Sequence, residues 1–223
     1  MEIRLLGPVS ATRQGLPVDL GPRRQRFVLA VLALEVNQAV PVERLVELAW
    51  TGDAPRTAVN AIQVCVSRLR TALHELSLDR DGDAYRLRAD PQIVDVHRFV
   101  TLVDEAGRTP GKDDRSRLLT TALALWKGPP LVGTTSPEVR ERLFRAVDSV
   151  RLTAVESLLD TLIPLRRPGS ERLVAQHVLA LARDAQTGAA LALLHRARRR
   201  LSDDPLLHRL ADALRLGEPC DAG

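Results

Sequence analysis

The sequence predicts a mainly α protein with a small β component, divided into a mixed N-terminal domain over residues 1–90 and an all-α domain over 91–223. Three observations lead there. Short alternating stretches occur only before Pro91, and beyond it nearly every segment carries apolar residues at helical spacing. The 223 residues suffice for two small cores.

Taken in order, Ile3-Arg4-Leu5-Leu6 and Leu16-Pro17-Val18-Asp19-Leu20 flank Arg13-Gln14-Gly15 and read as a strand, a turn and an edge strand. Residues 24–36 place Phe27, Val31 and Leu34 at helical spacing, and 41–50 form a shorter helix showing Leu45 and Leu48 on one side. A long helix covers 56–73. Residues 76–79 and 85–88 then make two strands around Asp81-Gly82-Asp83, a hairpin signal. In the second domain a helix over 95–106 ends at the break Gly107-Arg108-Thr109-Pro110-Gly111. Further helices are predicted over 114–126, 137–163, 170–183, 187–201 and 205–216, which together suggest stacked helical hairpins. Ser136 before Pro137 and Asp204 before Pro205 suit helix starts, so the pairs Asp113-Asp114 and Asp203-Asp204 read as first-turn acids and not as catalytic dyads.

Composition narrows the function. The longest apolar run, residues 27–34, lies between Arg26 and Glu35. It falls well short of the roughly 20 residues a membrane-spanning helix needs. Met1-Glu2-Ile3-Arg4 has no signal-peptide character, and two cysteines, Cys65 and Cys220, are too few for a disulfide framework, so a cytoplasmic protein is expected. The net charge is +4, and all but two of the 32 basic residues are Arg, Lys112 and Lys127 being the exceptions. Residues 1–90 hold 12 basic and 11 acidic side chains, so any nucleic-acid role must come from local placement. Six aromatic residues are too few for binding single strands by base stacking.

Local placement is informative in the helix over 56–73. On a wheel of about 100° per residue, Val59, Ile62, Val66, Leu69 and Leu73 share one sector of about 80°, a buried stripe. The opposite side shows Thr57, Asn60, Ala61, Val64, Arg68 and Thr71, flanked by Gln63, Ser67 and Arg70. No acidic residue lies between Arg56 and His74. Arg can donate twice to a guanine edge, Asn or Gln can pair with adenine, and Ala or Val can meet a thymine methyl. Two shorter helices precede this one and a hairpin follows it, the order of a winged helix-turn-helix. A half-exposed helix in a small α+β domain remains open from the wheel alone.

Leu5-Leu6-Gly7-Pro8-Val9, the run 25–34, Val42-Glu43-Arg44-Leu45 with Ala49-Trp50, and the stretch from Asn60 through Arg70 resemble the SARP family, the Streptomyces antibiotic regulatory proteins. Asp95-Val96-His97-Arg98-Phe99, Ala122-Leu123-Ala124-Leu125-Trp126-Lys127-Gly128 and residues 171–201 resemble that family's second domain. The resemblance implies a response-regulator-type winged helix followed by a tetratricopeptide-like bacterial transcriptional activation domain. It also implies binding to promoter direct repeats as a head-to-tail dimer on double-stranded DNA, and recruitment of RNA polymerase holoenzyme including sigma factor at antibiotic biosynthesis genes. Asn60, Ala61, Val64, Ser67, Arg68 and Arg70 then take recognition-helix contact positions, and Trp50 matches an indole that touches the phosphate backbone. Arg56 and Arg70 join Trp50 as expected phosphate contacts, with Thr57 and Thr71 on the same outward strip. Two departures stand out. The wing tip Asp79-Arg80-Asp81-Gly82-Asp83 sets three carboxylates where phosphates would lie, leaving Arg80 to reach DNA; and about one helix of the activation domain is missing after residue 160.

Other chemistry is not supported. Residues 107–113 lack the spacing and the Ser or Thr of a phosphate-binding loop. His74, His97, His177, His195 and His208 show no metal spacing, His97 reading as a packing or capping residue. Cys65 reads as a half-buried thiol between core and groove sides, and the basic run 196–200 as a solvated helix end. No catalytic, metal or cofactor site is expected, nor a membrane partner. The competing reading is a helical-repeat interaction scaffold whose N-terminal domain no longer binds DNA specifically.

Overall fold

A computed structural model describes residues 1–50 and 52–162, together with scattered helical positions between 175 and 212. The chain forms two units, one of Met1–Thr101 with Leu125–Val147, the other of Leu102–Ala124 with Asp148–Gly223.

The first unit opens with an antiparallel meander, β1 (Glu2–Arg4), β2 (Ser10–Arg13) and β3 (Leu16–Val18), in that spatial order. The sequence predicted two strands here, and β2 is the one it missed. Its Ser-Ala-Thr-Arg run points a single small apolar residue, Ala11, inward, too weak an alternation to read. Gln14 and Gly15 both take positive φ (50° and 82°), the left-handed turn that suits the twist of a two-residue hairpin.

Helix α1 (Arg23–Leu34) is buried continuously from Phe27 through Ala33. A helix that is apolar on every side needs cover on every side. Helices α2 (Val42–Ala49) and α3 (Ala58–Ala72) pack on it, as does the last strand of a second sheet. That sheet, in order β4 (Val40–Pro41), β6 (Ala84–Arg88), β5 (Ser77–Asp81), is the wing. Strand β4 has only two residues, one of them Pro, so no period could announce it. The β5–β6 turn runs through Gly82 at φ 58°, with Asp81 paired to Ala84.

After the wing, a single 3-10 turn (Pro91–Ile93) leads into α4 (Asp95–Arg108). Val94 bridges Ile3 in parallel, and the buried Asp95 carboxylate accepts the backbone N–H groups of Leu5 (2.8 Å) and Leu6 (3.0 Å). The carbonyls of the same two residues accept from Leu131 and Lys127 (3.1 and 2.7 Å). The stretch after β1 therefore has its backbone satisfied by segments lying beyond residue 90, which is why the first unit extends to Thr101 and takes in Leu125–Val147. His97 hydrogen-bonds the Ala33 carbonyl through Nε2 at 3.0 Å, a capping role toward the end of α1. Phe99 meets Trp126 edge to face at 5.4 Å.

In the second unit, α5 (Lys112–Leu123) carries Asp113 and Asp114 in its first turn, where they complement the helix dipole. The break before it is tied down by Arg115, whose Nε and guanidinium N–H both donate to the Thr109 carbonyl (3.1 and 2.8 Å). Helix α6 (Pro137–Leu162) begins at the predicted place, with Ser136 Oγ accepting from Val139 N, and runs from the first unit into the second. Leu119, Ala122, Leu123, Ala154, Val155, Leu158 and Leu159 are buried in the second unit. The helices predicted over 170–183, 187–201 and 205–216 as elements, the Asp203-Asp204 start, the missing helix and the arginines of the run 196–200 lie outside the described residues. Among the described residues no helix is long and apolar enough to cross a membrane.

Asp95 offers a direct test of this architecture. Asp95→Ala leaves two buried N–H donors unpaired and is expected to cost about 2–5 kcal/mol in urea unfolding; Asp95→Asn, which keeps one acceptor, is expected to cost less. Burial, outweighing the backbone hydrogen bonds, raises the Asp95 carboxyl above its ordinary range. The native state thus keeps this proton to higher pH than the unfolded chain does. Its contribution to stability falls as pH rises from the ordinary carboxylate value through the raised one. That descending limb should vanish in Asp95→Asn.

Candidate nucleic-acid interface

Helix α3 turns Ala58, Ile62, Cys65, Val66 and Leu69 inward, with Leu73 buried just past its end. Thr57, Asn60, Gln63, Val64, Ser67, Arg68, Arg70 and Thr71 are exposed and Ala61 is half-buried. Every outward position expected on this helix is therefore accessible. Two expectations for the inner side need correction. Val59, placed in the buried stripe, is 46% exposed, and Cys65, placed between core and surface, is buried. One rotation accounts for both: Ala58 and Cys65 define the near edge of the inner sector, which carries Val59 about 60° past Ile62 toward the surface. Val64 is 41% exposed on the opposite side. Two exposed valines and an absence of acids over 15 residues are unusual for a face meant only for water.

Each flank of this face has its own basic side chains. On the α1 side, Trp50 caps the end of α2 half-buried, and the Arg24 guanidinium lies 4.3 Å from its ring centroid. Arg24 and Arg68 both act on the Cys65 thiol. Burial pushes that thiol up in pKa and outweighs the two guanidiniums, so Cys65 stays protonated at neutral pH. Arg56 is exposed in the turn before α3.

On the wing side, Arg70 donates from Nε to the Leu78 carbonyl at 2.7 Å and lies 5.9 Å from the Tyr85 ring centroid, bracing β5 against α3. The wing carboxylates are internally partnered. Asp79 accepts from Ser77 Oγ (2.6 Å) and from Arg88 Nε (2.5 Å), and these bonds, Ser77 first, hold its carboxyl below the usual range. Asp81 pairs with Arg86 at 2.6 Å. Arg80 donates from Nε to the Gly82 carbonyl and lies 3.8 Å from Asp83. The wing is a mixed-charge surface, with Arg70, Arg80, Arg86 and Arg88 around Asp79 and Asp81.

Sequence reasoning passed over Arg24, Arg86 and Arg88. For β6 the signal was alternation: Tyr85 and Leu87 are buried, so Arg86 and Arg88 face away from the core. For Arg24 it was the first turn of α1, which sets Arg23, Arg24 and Arg26 at the positive end of a helix without an acid.

Two family models match the chain, Transcriptional regulatory protein, C terminal, over residues 15–81, and Bacterial transcriptional activator domain over residues 94–169. The chain is also 31% identical to the transcriptional regulator RedD of Streptomyces coelicolor, over 92% of its own length. Together these matches support a SARP-family transcriptional regulator. The chain spans 65% of the length of RedD. The regulatory protein DnrI of Streptomyces peucetius is 28% identical across 92% of this chain and 86% of DnrI. Among solved structures, Mycobacterium tuberculosis EmbR in complex with a low affinity phosphopeptide matches with a TM-score of 0.61 at 27% identity, covering 99% of this chain and 66% of that one. The N-terminal fold is a winged helix, and a helical activator-type domain follows it.

The bracing of the wing by Arg70 has a measurable consequence. Arg70→Ala removes a charge-assisted bond worth about 1 kcal/mol at this exposed site. Amide exchange in β5 and β6 should accelerate about five-fold while the amides of α1 keep their protection. Unchanged exchange across 77–88 would show that the wing holds without Arg70.

Proposed function

We propose that this chain is a sequence-specific DNA-binding transcriptional activator, with residues 1–90 as the DNA-binding module and 91–223 as the activation module. The observation that carries the reading is the acid-free outward face of α3, bordered by guanidiniums on both flanks. Asn60, Val64 and Arg68 meet base edges in the major groove, with Ala61 and Ser67 beside them. Trp50, Arg56 and Arg70 hold phosphates, and Thr57 and Thr71 lie at the two ends of the contact strip. Arg80 is the basic residue nearest the wing tip and reaches the adjoining backbone.

One such module reads a short element, so two chains bind head to tail on a promoter direct repeat. The helical domain then holds RNA polymerase holoenzyme, including sigma factor, beside the bound repeats. The genes served are those of antibiotic or other secondary-metabolite synthesis, as the family name suggests, and the protein works in the cytoplasm on the nucleoid. No cofactor, metal or catalytic step enters this account; the protein acts by holding two partners together.

A second reading, an interaction scaffold without specific DNA binding, draws on the wing, where Asp79 and Asp81 occupy Arg88 and Arg86. Gel shifts on promoter and random duplexes across a salt series separate the two, because a scaffold has no sequence-dependent component. On the activator reading, Arg68→Ala narrows the gap between promoter and random DNA by about 1–3 kcal/mol. Arg70→Ala instead weakens every duplex and flattens the salt slope by about one. An unchanged ranking of promoter variants in Arg68→Ala would remove that side chain from base readout. For the activation step, the full chain should raise transcription from the same promoter in a reconstituted polymerase reaction; binding without any rise would leave only the DNA-binding half of the proposal.

A further inference from the structure

The start of α1 sets Arg23, Arg24 and Arg26 against the helix dipole, with no acidic residue in the turn and no side-chain cap from Pro22. Arg23 is accounted for inside the fold, since its Nε donates to the Thr134 carbonyl at 2.9 Å. Arg24 has no such outlet. It is exposed, and among the described residues no carboxylate forms an ion pair with it. The nearest acid in sequence, Asp19, accepts from Gly21 N instead.

What does hold Arg24 is the face of Trp50, 4.3 Å away. Stacking on an indole immobilises a guanidinium through its plane and leaves its edge, where all five N–H donors lie, free to bond. The position of that edge is set by a second observation. Trp50 ends α2, and α1 and α2 both pack on α3, so the Arg24–Trp50 pair stands on the α1 flank of α3. The wing, bonded to α3 through Arg70, borders the other side.

From this geometry we infer that Arg24 is a further DNA-contacting residue, a phosphate post pre-positioned by Trp50 on the α1 flank of α3. The inference rests on the reading that a duplex lies along α3, and it deepens it: the backbone on one side of the groove is gripped by a side chain from α1, outside the helix-turn-helix pair. A planar guanidinium donating two parallel bonds to a phosphodiester fits that role, and Trp50 acts as its positioning platform as much as a contact.

The test is a salt series of duplex binding by the full chain, wild type against Arg24→Gln and Arg24→Lys. Arg24→Gln should reduce the slope of log K against log salt by about 0.9, the share of one phosphate. Its affinity should fall about eight-fold at 0.1 M salt on promoter and random duplexes alike, with the ranking of promoter variants unchanged. Arg24→Lys should keep the slope and lose affinity about two- to five-fold, because the charge stays while the fork and the stack are lost. A purely structural Arg24 would lower the melting temperature in Arg24→Gln and leave the slope at its wild-type value, and that result overturns the inference alone. Loss of slope in Arg24→Gln should also shrink when Trp50→Leu is already present; full additivity would overturn the role of Trp50 as platform. A wild-type chain that binds no duplex at any salt overturns this inference together with the function it rests on.

Discussion

Burial of one stripe of α3 sets which of its side chains meet the outside. Ile62, Val66, Leu69 and Leu73 are all but fully removed from water, and each is worth roughly 1.5–3 kcal/mol when buried. A rotation of α3 by a single residue, about 100°, would bring Gln63, Ser67 and Arg70 toward the core. Unpaired polar groups would then be buried at a cost of several kcal/mol in all. The stripe seats on α1, which is itself enclosed from Phe27 through Ala33 and so leaves no freedom in where its neighbours lie. Rigidity of this kind suits a reader of base edges, since a side chain displaced by an ångström misses its partner.

The electrostatics of the surface follow from the same arrangement. With its inner sector occupied by apolar residues, α3 carries charge only as Arg68 and Arg70, and these point to opposite flanks. Arg68 lies about 160° around the helix from Arg70, and Arg70 is drawn to the wing through Leu78 and Tyr85. The acids of the first domain are concentrated elsewhere. Glu35 pairs with Arg44 and Glu47 with Arg142, and the wing acids pair with Arg86 and Arg88. A domain whose sequence has almost no net charge thus carries a locally positive strip, because carboxylates are held by their own partners away from it. Exposed pairs of this sort add little to stability, and their effect here is on where charge is displayed.

Long, strongly periodic elements were legible in the sequence: α1, α3, α4 and α6 appear where apolar spacing placed them. The outward side chains of α3 were legible too, since a helix with several large inward residues has little choice of rotation. What escaped were features made by pairing instead of periodicity. Strands β2 and β4 are too short or too small-sided to show alternation and exist because neighbouring strands accept them. Val59 was misplaced because the small Ala58 and Cys65 define the edge of the inner sector as firmly as a larger residue would. The Asp95 clasp and the Arg24–Trp50 stack link residues distant in sequence, where no local spacing reports them.

The central claim is that the outward face of α3 lies in a major groove with Arg68 on a guanine edge. Scanning a bound promoter duplex with 7-deazaguanine, which deletes the N7 acceptor one base at a time, tests it most directly. A single position should cost the wild-type chain about 1–3 kcal/mol and cost Arg68→Ala nothing further. Equal sensitivity in both proteins, or no sensitive guanine anywhere in the protected repeat, would contradict it.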